Sequence, residues 1–171
     1  MKVAINGFGR IGRSVFRILN NRKDVSVIAI NDIAENDVLA YLLKYDTVMG
    51  RFNDTVELDG NVMKTSHNEV RMVAERDPRK LPWEELGVEV VIEATGIFRT
   101  RVQLQQHIDA GAKRVILTVP AKDEIDYTLV IGVNDDGLTA DHKIISNASC
   151  TTNCLAPMTK ILNDNFGIEY G

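Results

Sequence analysis

The sequence predicts an α/β protein with a doubly wound parallel sheet and helices on both faces. Short β-branched runs alternate with segments of helical periodicity through most of the 171 residues. A glycine-rich turn joins the first run to the first helical segment, and the second run ends at an aspartate. Because parallel strands are joined by right-handed helical crossovers, such a sheet is covered on both sides.

The chain begins with one βαβ unit. A buried-strand pattern over 2–6 leads into a helical pattern over 11–21, and a second strand pattern follows over 25–32. Apolar residues at three- and four-residue steps should form the helix face that packs on the sheet. These residues are Ile11, Val15, Ile18 and Leu19.

The later elements repeat this alternation after an insertion. A second helix is predicted over 36–45, and the turn-rich region 46–76 is interpreted as hairpin-like additions. Further helices are predicted near 79–86 and 100–110, and strands over 88–96, 114–119, 128–133 and 143–146. A helix from Cys150 to Phe166, closed by Gly167, ends the pattern.

Charge and composition exclude several classes of partner. Twenty basic and twenty-four acidic residues give a formal charge of −4, and no basic block indicates nucleic-acid binding. No apolar run has the roughly 18 residues that a membrane span requires, and the N-terminal run is too short for a signal peptide. Two cysteines four residues apart cannot join distant parts of a fold, so we expect a reducing, cytoplasmic location.

The turn between the first strand and helix fits a dinucleotide-binding motif. Its sequence, G-F-G-R-I-G (7–12), follows a strand and opens a helix, which is the context of a Rossmann-type fold. Gly7 permits the tight turn, Gly9 lets the backbone approach a pyrophosphate, and Gly12 allows the helix to pack closely on the strand. The helix N-terminus offers free N–H groups to the phosphates.

Asp32 lies twenty residues after Gly12, at the end of the second strand. A carboxylate there accepts hydrogen bonds from both hydroxyls of an adenosine ribose and repels a 2′-phosphate, which favours NAD over NADP. The alternative is that the glycines serve only the backbone geometry of the turn and that Asp32 is a solvated strand end.

The segment S-N-A-S-C-T-T-N-C (146–154) predicts a nucleophilic thiol. Ser149 is a good N-cap, which makes Cys150 the first helical residue. The positive end of the helix stabilises a thiolate there. The hydroxyls of Thr151 and Thr152 follow in the same turn and, with free N–H groups, can bind a phosphate or a developing oxyanion.

The alternative for Cys150 is a small buried hydrophobic residue at a strand–helix junction. Cys154 lies one turn further along the helix and is expected to be structural. No histidine or third cysteine accompanies the pair at ligand spacing, so no metal site is expected. The three histidines, His67, His107 and His142, are interpreted as surface residues.

Eight segments, in order along the chain, match one known family. They are N-G-F-G-R-I-G-R (6–13), A-I-N-D (29–32), K-Y-D-T (44–47), E-R-D-P (75–78), E-A-T-G (93–96), G-A-K-R-V-I (111–116), G-V-N (132–134) and S-N-A-S-C-T-T-N-C-L-A-P (146–157). The sequence resembles phosphorylating glyceraldehyde-3-phosphate dehydrogenases over essentially its whole length.

The resemblance implies NAD as the cofactor, with Arg10 and Ile11 at its pyrophosphate and Asp32 at its adenosine ribose. Positions that line the adenine and nicotinamide sides in that family are matched by Arg76, Thr95, Gly96 and Thr118. It implies that Cys150 attacks the aldehyde of glyceraldehyde 3-phosphate and that inorganic phosphate resolves the resulting thioester. Ser149 and Thr151 match positions that contact substrate and phosphate.

The resemblance also predicts a division of the chain into an NAD-binding domain over 1–149 and the opening helix of an incomplete catalytic domain over 150–171. Family members continue with a second domain, which carries the histidine that pairs with the cysteine, and the intact enzyme is expected to be a homotetramer. Two alternatives stay open at this point, an erythrose-4-phosphate dehydrogenase and a standalone nucleotide-binding module without chemistry.

The 171-residue chain by itself is therefore expected to bind NAD weakly and to turn over little or no substrate. Loss of a general base typically removes about 10² to 10⁴ in rate. Steady-state oxidation of glyceraldehyde 3-phosphate, followed as NADH formation, measures this. A turnover close to that of a full-length family member would contradict the expectation.

Overall fold

The computed structural model describes residues 1–171, which form a nine-stranded sheet and five α-helices. The strands are β1 (Lys2–Asn6), β2 (Ser26–Asn31), β3 (Glu57–Asp59), β4 (Val62–Lys64), β5 (Glu69–Val73), β6 (Val90–Glu93), β7 (Arg114–Leu117), β8 (Tyr127–Thr128) and β9 (Ile144–Ser146). The helices are α1 (Arg10–Leu19), α2 (Asn36–Lys44), α3 (Trp83–Leu86), α4 (Arg101–Asp109) and α5 (Cys150–Phe166).

The strand order is β3-β4-β5-β2-β1-β6-β7-β9-β8. From β5 to β8 every neighbouring pair is parallel, whereas β3, β4 and β5 pair antiparallel. The six strands from β5 to β9 have the order 3-2-1-4-5-6 of a doubly wound dinucleotide-binding sheet. The predicted Rossmann-type fold is confirmed. Within 46–76, β3 and β4 form the predicted hairpin-like addition, but the interpretation was wrong for β5, which pairs in parallel with β2 and belongs to the central sheet.

Two apolar cores lie on opposite faces of the sheet. Val3 and Ile5 of β1 belong to the first core, together with Phe16 of α1 and apolar residues of α2. Ala4, between them, belongs to the second core with Trp83 of α3 and apolar residues of α4. Because successive side chains of a strand point to opposite faces, this division shows that helices cover both sides.

The face by which α1 packs differs in part from the prediction. Val15 and Leu19 pack against the first core, but Ile11 and Ile18 are 52% and 64% exposed. The prediction was wrong for these two because it counted only large apolar residues. A glycine can mark the packing face as well, since it lets the helix lie closer to the sheet than any side chain would.

The residues of α1 that are buried are Gly12, Phe16 and Arg17. Phe16 is fully buried and packs edge-on against Phe8, with ring centroids 5.7 Å apart. Arg17 is buried along its length and donates hydrogen bonds to the carbonyl oxygens of Leu43 and Gly50 at 2.5 and 2.9 Å. This arginine therefore ties α1 to the end of α2 and to the turn that follows it.

The strand predicted over 128–133 is shorter than expected. Strand β8 ends at Thr128, and the chain then turns around the side chain of Asn134. That amide accepts a hydrogen bond from the Val130 N–H at 2.7 Å and donates one to the Thr128 carbonyl at 2.9 Å. These contacts replace strand pairing, so β-branched composition alone gave the wrong length.

Helix α5 begins at Cys150 and ends at Phe166, as predicted, and Gly167 follows with φ of 73°. No residue of α5 is buried, and Leu155, Ile161 and Phe166 are all more than half exposed. At 17 residues it is the longest helix. Neither α5 nor any other helix is both long and apolar enough to cross a membrane.

We expect truncation of Phe16 to destabilise the fold strongly. Phe16→Ala removes a fully buried ring from the first core, and such changes cost about 3–5 kcal/mol. Ile18→Ala, two positions along the same helix, should stay within about 0.5 kcal/mol of the parent because Ile18 is solvent-exposed. Urea unfolding of both variants measures the difference. Equal losses would show that Ile18 is buried as Phe16 is, contrary to the structure.

Candidate functional site

A cavity of about 390 Å³ lies at the carboxyl ends of β1, β2 and β6. Its volume is within the range of roughly 300–1,000 Å³ that is usual for small-molecule sites. The strand order reverses between β1 and β6. The chain first places β2 and β5 on one side of β1, and it then places β6, β7 and β9 on the other side. Ligands of doubly wound sheets bind at such a switch point.

Five of the residues predicted to bind the cofactor line this one cavity. They are Gly7, Gly9, Asp32, Arg76 and Thr95. They come from four segments of the chain, after β1, β2, β5 and β6. Parallel strands bring these segments together because their carboxyl ends meet at the same edge of the sheet.

The other predicted cofactor residues lie near the cavity but not on its wall. Arg10 and Ile11 are exposed in the first turn of α1, and Gly12 is buried beneath that turn. Gly96 follows Thr95 and is exposed. Thr118 lies beyond β7, where its hydroxyl donates to the Glu93 carbonyl at 3.1 Å. Their roles toward NAD remain predictions.

The glycine turn is closed by two contacts that leave no space for a side chain. Gly7 has φ of +94°, and a Cβ on it would lie 2.6 Å from the Thr95 nitrogen. A Cβ on Gly12 would lie 2.1 Å from the Gly7 carbonyl oxygen. Gly9 differs, because a Cβ there would have no neighbour within 4 Å and would stand in the open cavity.

The N-terminus of α1 is built to receive an anion. Its N-cap is Gly9, which offers no side-chain acceptor, and no acidic residue lies in the first turn. The Arg13 N–H already bonds to the Gly9 carbonyl at 3.0 Å, and the N–H groups before it are those that a helix leaves without intrahelical partners. A diphosphate fits here, since the donors and the helix dipole both favour negative charge.

Asp32 also holds the glycine turn in place, a role that the sequence did not indicate. Its Oδ2 accepts a hydrogen bond from the Phe8 N–H at 2.7 Å, and its Oδ1 accepts one from the Ala34 N–H at 3.0 Å. The carboxylate therefore ties the glycine turn to the end of β2. A carboxylate has about four acceptor positions, so capacity remains for the two ribose hydroxyls.

The segment that carries Arg76 is anchored to the cavity floor. Asn31 accepts a hydrogen bond from the Glu75 N–H at 2.8 Å and donates one to the Glu75 carbonyl at 2.9 Å. Just beyond, the Arg79 guanidinium donates to the Asp77 carboxylate and holds the pKa of that carboxyl at about 2. Arg76 itself is exposed between these two fixed points.

The thiol lies at the start of α5, as predicted. Cys150 is exposed and is the first helical residue, and Ser149 is the N-cap, whose hydroxyl accepts the Thr152 N–H at 2.9 Å. The Ser149 hydroxyl also lies 2.9 Å from the Thr151 hydroxyl. Asn153 donates to the carbonyls of Asn147 and Ser149 at 2.8 and 2.9 Å. These bonds fix the first turn and leave the thiol in solvent.

Ala148 is a feature that the sequence did not reveal. Its φ of 55° makes it the one non-glycine residue with a left-handed backbone, in the turn between β9 and α5. Alanine adopts this conformation at a cost of about 1–2 kcal/mol. Its N–H donates to the Ser146 hydroxyl at 3.0 Å, which holds the turn. The strained turn lets the chain leave β9 and begin a helix within three residues, with Cys150 at its tip.

The prediction that all three histidines are surface residues is correct only in part. His67 is exposed, and His142 stacks on Tyr127 with ring centroids 4.9 Å apart. The prediction was wrong for His107, which is fully buried. It lies three residues after Leu104 on the face of α4 that meets the sheet, and this spacing is the signal that could have shown its burial. Nowhere do three or more His, Cys, Asp or Glu side chains cluster as metal ligands would.

Comparison with known protein families assigns the chain to one of them. A family model described as "Glyceraldehyde 3-phosphate dehydrogenase, NAD binding domain" matches residues 1–101, which is more than half of the chain. The chain belongs to the glyceraldehyde-3-phosphate dehydrogenase family. A second model, described as "Glyceraldehyde 3-phosphate dehydrogenase, C-terminal domain", matches residues 149–171. The cofactor of this family's domain is NAD.

Similar proteins agree with this assignment. A glyceraldehyde-3-phosphate dehydrogenase of Thermotoga maritima is 54% identical over 172 residues, which cover 99% of this chain and 51% of that protein. Glyceraldehyde-3-phosphate dehydrogenase 1 of Bacillus subtilis is 52% identical over 172 residues, covering 100% and 51%. The chain spans about half the length of the curated relatives it matches, and it is an NAD-binding part of such a protein.

Two glycine substitutions should separate folding from cofactor binding. Gly12→Ala places a methyl group against the Gly7 carbonyl, and overpacking of this kind costs about 1–3 kcal/mol. Gly9→Ala has space for its methyl group and should keep the parent's stability, but it should weaken NAD binding about tenfold by blocking the backbone's approach to the diphosphate. Urea unfolding and calorimetry with NAD measure the two effects. Unchanged NAD affinity in folded Gly9→Ala would place the diphosphate elsewhere.

Proposed function

We propose that this chain is the NAD-binding part of a dehydrogenase that converts glyceraldehyde 3-phosphate to 1,3-bisphosphoglycerate, with Cys150 as its nucleophile. The observation that carries the proposal is the exposed thiol of Cys150 at the N-terminus of α5, on a fold of the glyceraldehyde-3-phosphate dehydrogenase family. Strands β1 and β9 are parallel members of one sheet, so the cavity and the thiol lie toward the same edge.

On the cofactor side, we assign the diphosphate of NAD to the first turn of α1, at Arg10 and Ile11. The adenosine ribose is assigned to Asp32, which lines the cavity and has acceptor positions left beside its two backbone hydrogen bonds. A 2′-phosphate would bring a second negative charge to this carboxylate, which supports NAD over NADP. The other proposed cofactor contacts are Gly7, Gly9, Gly12, Arg76, Thr95, Gly96 and Thr118.

The chemistry follows from the thiolate. Cys150 adds to the aldehyde carbon and forms a thiohemiacetal, whose carbon then gives up a hydride while its hydroxyl loses a proton. NAD, when bound, supplies the acceptor for that hydride. The product is a thioester on Cys150, and attack by inorganic phosphate releases the acyl phosphate and regenerates the thiolate.

Ser149 and Thr151 are proposed to contact the substrate or the attacking phosphate. Both hydroxyls lie beside Cys150, at the positive end of α5. The Ser149 hydroxyl is already engaged as the N-cap acceptor, whereas Thr151 is exposed. Hydroxyl donors and free N–H groups at a helix terminus together favour an anionic oxygen.

The domain division and the cellular setting are further parts of the proposal. A boundary between residues 149 and 150 is supported by burial, since all 39 buried residues precede Ser149. A homotetramer of the intact enzyme is proposed from the membership of the chain in this family. Two free, exposed cysteines support the cytoplasm, where thiols stay reduced.

Thiol alkylation tests the proposal. Iodoacetamide should modify Cys150 about two- to fivefold faster than Cys154, because a helix terminus stabilises an exposed anion by about 0.3–1 kcal/mol and the thiolate is the reacting species. Cys154 is the matched control, since both thiols are exposed on the same helix and differ by one turn. Mass spectrometry of the two peptides at timed intervals measures both rates. Equal rates would leave a nucleotide-binding module without a reactive thiol.

A further inference from the structure

A line of buried polar side chains crosses the carboxyl ends of three adjacent strands and reaches the backbone that follows a fourth. It starts at the Glu75 backbone, after β5, which holds Asn31 at the end of β2. Asn31 donates to the Asn6 side-chain oxygen, at the end of β1, at 2.7 Å. Asn6 in turn donates to the Glu93 carboxylate, at the end of β6, at 2.5 Å. The order of these contacts is the order of the strands in the sheet.

The line continues away from the sheet edge into the second core. The Glu93 carboxylate lies 3.0 Å from His107 Nε2 on α4, and His107 Nδ1 lies 3.1 Å from Trp83 Nε1 on α3. Glu93, His107 and Trp83 are all fully buried. None of these three lines the cavity, and the proposed function gives them no part.

Trp83 fixes the direction of these hydrogen bonds. An indole N–H can only donate, so His107 Nδ1 must accept and cannot carry a proton. The proton of the imidazole is then on Nε2, where it donates to Glu93. His107 is therefore neutral, in the Nε2–H tautomer, and a second proton would face the indole N–H.

Glu93 is consequently a buried carboxylate with every acceptor position in use. Its Oε2 accepts from Asn6 and His107, and its Oε1 accepts from the N–H and the hydroxyl of Thr95. A buried charge is costly unless it is fully hydrogen-bonded. With four donors in place, Glu93 fixes the side chains of Asn6 and Thr95, and the loss of one donor disturbs the others.

Side chains that this hydrogen-bonded network holds in place also form the floor of the cavity. Asn6, Asn31 and Thr95 line it, as does Phe98, whose ring meets His107 edge-on with centroids 6.3 Å apart. His107 is thus one layer of side chains away from the ligand space. It supports the cavity wall in two ways, directly by its contact with Phe98 and indirectly by its hydrogen bond to Glu93, which holds Asn6 and Thr95.

We propose that Glu93 and His107 are positioning residues of the NAD site, acting through Asn6, Thr95 and Phe98. The inference rests on the proposed assignment of the cavity to NAD. Trp83 holds His107 as a neutral donor, His107 holds the Glu93 carboxylate, and Glu93 holds the cavity floor. NAD affinity then depends on a histidine that the cofactor does not touch.

Variants at position 107 test the proposal in the 171-residue chain. His107→Phe keeps the aromatic ring but removes both hydrogen bonds, and it should weaken NAD binding about tenfold in calorimetry. His107→Gln keeps one acceptor and one donor and should recover most of the affinity, to within about threefold of the parent. The control is Leu104→Val, in the same helix and the same core, which should lower stability but leave NAD affinity within about twofold.

The protonation of His107 provides a readout that packing alone would not change. In ¹⁵N NMR of the parent without NAD, Nδ1 should resonate as an unprotonated nitrogen and Nε2 as a protonated one. Trp83→Phe removes the donor to Nδ1 and should give a mixture of tautomers with weaker NAD binding. It is the only tryptophan of the chain, so loss of its emission verifies the variant.

Several results would overturn the inference. These are a protonated Nδ1 in the parent, His107→Phe binding NAD as the parent does, or Leu104→Val losing as much affinity as His107→Phe. If His107→Phe does not fold, Trp83→Phe decides the question, and parent-like affinity with an unchanged tautomer contradicts the proposal. If the parent chain binds no NAD, the assignment of the cavity to NAD is wrong as well. That result distinguishes failure of the proposed function from failure of this inference alone.

Discussion

The close contact of the glycine turn with its neighbours is the constraint on which the rest depends. Gly12 rests on the Gly7 carbonyl, and Gly7 rests on the backbone at Thr95, after β6. These contacts bring the N-terminus of α1 over the gap between β1 and β6, where the sheet changes direction. A side chain at either position would displace the N-terminus of α1 from the cavity that Gly7 and Gly9 line.

The parallel sheet also determines where the Cys150 thiol lies. Because β1, β6, β7 and β9 are parallel, the loops that follow them meet at one edge, and α5 starts from the last of these strands. The cavity and Cys150 are therefore placed by the same hydrogen-bonded ladder, although almost 140 residues separate the glycine turn from the cysteine. One sheet thus supports both the binding of NAD and the proposed attack on an aldehyde.

Much of the fold and of the site was predictable from the sequence because the signals were local. The glycine motif, Asp32 and the Ser149 N-cap each depend on residues a few positions apart or at a fixed offset. The burial of His107 was missed because its partners, Glu93 and Trp83, lie 14 and 24 residues away and meet it only in the folded chain. Ala148 gave no signal either, since its backbone conformation is unusual for its residue type.

The start of α5 is held by contacts that do not involve the later turns of the helix. Its first turn is secured independently by the Ser149 hydroxyl and by Asn153, which grips the carbonyls just before the helix. The sulfur atom of Cys150 is therefore fixed at the sheet edge by the residues on either side of it in the chain, between 147 and 153.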